Sequence, residues 1–312
     1  MIAGFPEAAP PPRPVPIILD TDIGPDCDDA GAVAVLNALA DRGEAKLLAM
    51  ACCTSSEWGA PCVQAINTYY GRPDIPVGTC KREGFLTDSP YNGPVAREFP
   101  NTLKTGHAAP DARNLYREVL AKQPDHSVVF CAIGPLNNLA DLLATKPDVH
   151  SPLTGKQLVA QKVRLLVDMG GGFPGGKEWN FEQDVPAAQE VTHEWPTPIV
   201  FSGAEIGAAI QTGARLYTET PKSNPVRRAY ELYTNSQNRN SWDLTAALCA
   251  VRGVEPYWSL GGPGRCHVTH NGGNEWEMGH KSRHAYLVAK TPVPELAKVI
   301  EDLMVQPPKC GH

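Results

Sequence analysis

Five aspartates fall within ten positions, Asp20, Asp22, Asp26, Asp28 and Asp29, in the stretch ILDTDIGPDCDDAGAV (18–33). An apolar run precedes them and a helix-like stretch follows. Asp20 and Asp22, two apart at the end of an extended segment, are expected to point the same way. Asp28 and Asp29 open the next helix, where carboxylates interact well with the N-terminus. Gly24 and Pro25 turn the intervening loop. Like charges packed this densely raise one another's pKa unless something neutralises them. Helix capping and solvated turn charge account for one or two aspartates but not for this density after a buried strand. A hard cation does account for it: calcium takes six to eight oxygens, and magnesium keeps more of its waters. The spacing and the missing terminal Glu exclude an EF-hand loop. A second chemistry also fits an Asp-x-Asp at a strand end, a Mg²⁺-dependent phosphohydrolase with Asp20 as nucleophile and Asp22 as acid. Gly24 stands where that class carries Thr or Val.

The elements that must position these residues alternate. Strands are expected at 15–20, 45–52, 127–134, 163–172 and 197–203. Helices are expected at 28–43, 61–71, 114–123, 135–145, 185–195, 225–238, 241–251 and 294–304. The near-continuous apolar character of VPIIL, VVFCAI and VRLLV fits strands buried on both sides. The pattern predicts an α/β fold, a mainly parallel sheet with helices on both faces, in a single domain over 15–312. Residues 1–14, rich in proline, read as a flexible leader rather than a signal peptide. In such sheets ligands collect at the carboxyl ends of strands.

Composition narrows the partners. Of 312 residues 42% are hydrophobic and 20% charged, and the formal net charge is −6 with no basic run, which argues against nucleic acid. No apolar stretch reaches membrane-spanning length. The nine cysteines include no CxxC pair and read as mostly reduced, buried thiols, pointing to a cytoplasmic setting. A secreted or periplasmic origin with a removed signal is the alternative.

DTDIGPDCDDAGAV resembles the opening motif of the inosine–uridine nucleoside hydrolase family, in a variant with two extra residues before the Asp pair. Further segments match in order: INTYYGRPDIPVG (66–78), AIGPLNNLADLL (132–143), LVDMGGGFPGGKEWNFEQDVPAAQEV (166–191) and SWDLTAAL (241–248), together spanning roughly residues 15–305. The resemblance implies a Rossmann-like fold, a bound Ca²⁺, and hydrolysis of the N-glycosidic bond of a small-molecule ribonucleoside or riboside. A relative that binds nucleosides or sugars without turnover is the other outcome it allows. It makes Asp22, Asp29 and Asp243 side-chain ligands and the Ile133 carbonyl a backbone ligand. Asp22 doubles as the base that takes a proton from the attacking water. Asp28 and Asn180 hold ribose hydroxyls, Glu178 the 5′-hydroxyl, and Asp20 supports the cluster from behind. Met169 lines the sugar pocket, Trp179 belongs to the same substrate-binding segment, and Asp243 also faces the sugar. Assembly as a homodimer or homotetramer is implied as well.

The departures concern the leaving base. Trp242 stands where one subgroup carries a leaving-group His; the purine-preferring branch carries Trp there too, so it reads either as pointing to purine nucleosides stacked on its ring or as a packing residue at a helix start. The loop CCTSSEWGAP (52–61) lacks the family's ribose-binding Asn, leaving Ser55, Ser56, Glu57 or Trp58 to replace it. Tyr91 and Asn92 are read as either covering the site or forming a turn, and Arg239 and Asn240 as facing the pocket or ending a helix. His107 reads as a solvated loop residue. His267–His270 and His280–His284 have zinc-like spacings without Cys or Glu partners and read as surface or structural.

Overall fold

The computed structural model describes residues 14–279 and 282–309. The expected leader, Pro14 apart, lies outside them, as do His280 and Cys310. The strands are β1 (Val15–Thr21), β2 (Ala45–Cys52), β3 (Val77–Thr79), β4 (Val128–Ile133), β5 (Val163–Met169), β6 (Gly175–Lys177), β7 (Ile199–Ser202), β8 (Gln211–Thr212), β9 (Arg239–Asn240), β10 (Trp258–Leu260), β11 (Gly264–Val268), β12 (Gly273–Met278) and β13 (His284–Ala289). Eleven of them form one sheet in the order β3-β2-β1-β4-β5-β7-β13-β11-β12-β6, with β10 paired to β13. The block from β3 to β13 is parallel throughout. The remaining strands are added antiparallel, and β8 and β9 form a separate two-stranded ribbon.

Strand side chains alternate between two cores, as a period of two requires. Ile17, Leu19, Cys131 and Val167 meet the helices Asp28–Asp41 and Trp242–Arg252 on one face. Ile18, Phe130, Ala132 and Leu166 meet Ala112–Ala121, Asn137–Leu143 and Val185–Glu194 on the other. Every residue of β4 is buried, as its unbroken apolar run predicts. The helix Asp28–Asp41 is buried nearly all round, so it is a central helix rather than an amphipathic cover. All five strands and eight helices expected from the sequence are present within a few residues of their predicted ends. The expectation missed β3, β6, β8 and β9, the short helices at Asn92–Glu98, Gly155–Lys162, Trp179–Gln183, Ala204–Ala208 and Ala214–Glu219, and the strands from β10 to β13.

The chain order reverses about β1, which lies between β2 and β4. At that switch point Thr21 stands opposite both Cys52 and Ile133, and Met169 ends β5 beyond the Ala132–Asp168 pair. Asp22, Ile133 and Met169 therefore sit together at the carboxyl edge. Gly134 makes this approach possible: a Cβ there would lie 2.7 Å from Cys53 Sγ and 2.9 Å from the Asp22 nitrogen. Among the described residues no helix is long and apolar enough to cross a membrane.

Candidate active site

A cavity of about 430 Å³ opens at the strand ends, lined among others by Asp22, Asp28, Asp29, Ile133, Met169, Glu178, Trp179, Asn180, Trp242 and Asp243. These residues thus lie on one wall system although they come from distant segments of the chain. Asp28 and Asp29 reach it from the first turn of one buried helix and Asp243 from the first turn of another. Partial positive charge at both helix starts favours the carboxylates there. Asp28 Oδ2 accepts the Asp243 backbone N–H at 3.1 Å, which ties the two helix starts together. Thr21 Oγ1 donates to Asp29 in a short hydrogen bond.

Asp28, Asp29 and Asp243 each offer an oxygen within 4.8 Å of the others, and all three are buried. Burial and mutual repulsion push their carboxyls well above the usual carboxylate range. Asp22, outside this trio, is hydrogen-bonded to Asp29, and burial lifts it to about 7. Of the two cations on the cavity wall, Arg239 is paired with Asp26 and Lys177 with Glu182 at 2.9 Å. Among the described residues, then, no cation is paired with the trio. The donor set is oxygen only, which suits a hard cation such as Ca²⁺ or Mg²⁺ and not zinc.

Glu178 caps the short Trp179–Gln183 helix, its carboxylate accepting N–H groups from Asn180 at 2.7 Å and from Phe181 and Gly171 at 3.2 Å. Burial nevertheless raises it to about 7. Asn180 Nδ2 donates to the Met169 carbonyl at 3.0 Å, leaving Oδ1 for the cavity. Trp179 is 41% exposed at the mouth. Trp242 is placed by Gly207, where a Cβ would come within 2.3 Å of the Trp242 Cα, and its indole N–H donates to the Ala204 carbonyl at 2.9 Å.

Two expectations need correction. Asp20 does not share a direction with Asp22, because β1 ends at Thr21 and the alternation stops there. Asp20 is fully buried on the opposite core, accepting a short hydrogen bond from Tyr116 and one from Asn138 Nδ2 at 2.9 Å. It does not line the cavity, so it is not a nucleophile for a phosphohydrolase. None of Ser55, Ser56, Glu57 and Trp58 lines the cavity either: Ser56 is held by Asn92, and Trp58 packs beneath Arg97.

The loop residues resolve as follows. Tyr91 and Asn92 are buried and pin the aspartate loop, the Tyr91 hydroxyl donating to the Asp26 carbonyl at 2.7 Å and Asn92 Nδ2 to the Ile23 carbonyl at 3.1 Å. His107, His267 and His270 are exposed and away from the cavity, while His284 is buried and accepts the Cys266 N–H at 3.2 Å. The eight cysteines among the described residues are all free and buried. Lys177 and Tyr233 on the wall were not anticipated, Asp26 was counted in the aspartate cluster without a role of its own, and Arg239 was left open. The two-residue insertion carrying Asp26 was the available signal.

The fold and the cavity define an α/β protein with a buried, cation-ready acidic site at the carboxyl ends of parallel strands. The chain belongs to the inosine–uridine preferring nucleoside hydrolase family, whose model matches residues 17–298. The pyrimidine-specific ribonucleoside hydrolase RihA of Klebsiella pneumoniae subsp. pneumoniae is 29% identical over 204 residues, 62% of this chain. The match spans 61% of RihA, about three-fifths of that relative's length. A plant nucleoside hydrolase, the PpNRh1 enzyme, superposes with a TM-score of 0.68 at 18% identity, over 94% of this chain and 100% of that one. A purine-preferring ribonucleoside hydrolase from Gardnerella vaginalis does so with 0.68 at 17%, over 93% and 98%. These two likenesses show the shared fold.

Proposed function

We propose that the protein is a Ca²⁺-dependent N-glycosyl hydrolase that splits a ribonucleoside into ribose and free base. One observation carries the reading: three buried carboxylates within 4.8 Å of one another, paired with no cation among the described residues, on a cavity of nucleoside size beside Asp22. Asp22, Asp29, Asp243 and the Ile133 carbonyl would hold the ion, with Asp28 within reach. When bound, the ion supplies Lewis-acid activation of water and a docking point for vicinal hydroxyls.

The remaining steps belong to the chain. Asn180 and Asp28 hold ribose hydroxyls, Glu178 holds the 5′-hydroxyl, and Met169 and Trp179 close on the sugar. The C1′–N bond breaks with its electron pair leaving on the base, and positive charge develops over C1′ and the ring oxygen. The surrounding carboxylates stabilise that charge. Asp22 takes the proton of the attacking water as it adds to C1′. Trp242 on the cavity wall supports a purine base. The named relatives divide between pyrimidine and purine substrates, so the base is the finer part of the proposal.

Reducing-sugar release from a panel of ribonucleosides, with wild type and Asp22→Ala in parallel and with and without chelator, tests the reading. The expected result is sugar release that depends on the divalent ion and falls by about 10²–10⁴-fold in the variant, the range for losing a general base. A chain that binds calcium yet releases sugar from no riboside is a binding protein instead.

A further inference from the structure

Arg239 is held in an unusual way for a residue on the wall of an acidic cavity. Its Nε donates to Asp26 at 3.0 and 2.9 Å, and its Nη2 makes a short hydrogen bond to the same carboxylate. Its guanidinium lies over the Trp242 ring with 4.9 Å to the centroid and 5.5 Å from that of Tyr233. The group is thus fixed in its plane by a two-point ion pair and against two aromatic rings, which costs a ligand little further ordering. Nη1 has no hydrogen-bond partner among the described residues, although Arg239 lines the cavity. Asp26 is fixed in turn, its carbonyl accepting the Tyr91 hydroxyl and its Oδ1 the Cys27 N–H at 2.6 Å. One face of Trp242 is therefore covered by Arg239, and a planar ligand on that side meets the guanidinium before the indole.

We infer that Arg239, positioned by Asp26, contacts the leaving base and selects 6-oxopurine ribosides over 6-aminopurine ones. The inference rests on the proposed hydrolase reading. Arginine is a donor only. The O6/N7 edge of hypoxanthine or guanine presents two acceptors to it, whereas the 6-amino group of adenine opposes donor with donor. Arginine does not give up its proton, so its contribution is electrostatic: the electron pair of the breaking C1′–N bond moves onto the base, and a fixed cation at the carbonyl oxygen stabilises that negative charge. No histidine among the described residues lines the cavity to protonate the base, so this is a role the wall has to supply in another way. Asp26 acts through Arg239 and is a positioning residue.

The test compares inosine, adenosine and 4-nitrophenyl riboside, whose phenolate leaves without help. In the wild type, kcat/KM for inosine exceeds that for adenosine. Arg239→Gln is expected to lose about 10²-fold on inosine, the order for removing one fixed donor at a developing anion, while hydrolysis of the nitrophenyl riboside changes less than about threefold. Asp26→Asn is expected to lose less, on inosine only, and Arg239→Lys to keep part of the charge effect without the discrimination. Parallel losses on all three substrates would reduce Arg239 to a structural prop and overturn the inference, as would an unchanged inosine rate. If Arg239→Gln does not fold, Asp26→Asn and Arg239→Lys carry the same comparison. A wild type that cleaves none of the three substrates overturns the hydrolase reading itself, a result distinct from either.

Discussion

Neutralising Asp243 separates a cation site from a merely acidic wall. Asp243→Asn keeps the shape, and the hydrogen bond to Asp28 survives because the backbone N–H makes it. With oxygens no more than 4.8 Å apart, each ionised pair repels by at least about 3.5 kcal/mol at an effective dielectric constant near 20, and the substitution removes two of the three pairs, at least about 7 kcal/mol. Without a cation the carboxyl escapes part of this by protonating. From its ordinary value of 3.8 that costs about 4 kcal/mol at pH 7, which caps the gain. At roughly 2.1 cal/mol/K per residue the 312-residue chain unfolds with an entropy near 0.66 kcal/mol/K, so about 4 kcal/mol is about 6 °C in Tm.

The sign with pH follows from the raised carboxyls. The native state holds protons that the unfolded state has released, so stability without metal falls as pH rises from about 4 through the raised values. The advantage of Asp243→Asn should therefore be absent near pH 4, reach about 4 kcal/mol at pH 7 and be larger still at pH 8. Melting curves of chelated wild type and variant at pH 4, 5.5, 7 and 8, then with calcium added, measure it. At a hundred times its Kd calcium adds about 2.7 kcal/mol to the wild type, about 4 °C, and little to the variant. If the chelated variant melts no higher than chelated wild type at pH 7, or if calcium raises both equally, the trio is not the cation site.

Two further outcomes are expected. His284, buried and held neutral with its pKa lowered from 6.5 to about 4, binds its proton in the unfolded chain first. The His284 contribution to stability therefore falls as pH drops from about 6.5 to 4, by up to about 3 kcal/mol, and denaturant titrations should show it as the difference in pH slope between wild type and His284→Asn. Gly134→Ala would place a methyl 2.7 Å from Cys53 Sγ and 2.9 Å from the Asp22 nitrogen, an overpacking expected to cost about 1–3 kcal/mol; a thermal melt unchanged from wild type refutes the close approach.

The acidic site was legible in the sequence where its parts are local. Strand β1, the turn at Gly24–Pro25 and the start of the Asp28–Asp41 helix form one continuous unit, and the run from Met169 to Asn180 is another, so spacing alone grouped their side chains. What was not legible depends on partners far away in the chain. Asp20 reads like Asp22 until Tyr116 and Asn138 claim it from the other face. Arg239 finds Asp26 across 213 residues, and no local periodicity announces that pair. Strand β11 and much of β12 alternate buried and more exposed residues as strands do, but their glycines and histidine hid the apolar half of the pattern. Tyr91 could be read as covering the site or as part of a turn, and is a buried anchor, because its hydroxyl serves a backbone carbonyl that sequence cannot show.

The antiparallel end of the sheet bears on the order in which the protein is assembled. Strand β6, which leads into Glu178, pairs with β12, and Asn274 clasps Gly172 through two hydrogen bonds of 2.8 and 2.9 Å. The glycine loop at 170–176 thus waits for a hairpin made about a hundred residues later. A ribosome releasing the chain from its N-terminus exposes the aspartate loop first, supplies Asp243 long afterwards, and delivers the clasp later still. Such distant pairings are slow to form because the intervening chain must first be ordered. The parallel block has its partners early, while the cavity is finished among the last structures to form, so a chain cut short after Arg252 carries every acidic residue of the site but lacks the strand that fixes its sugar-facing wall.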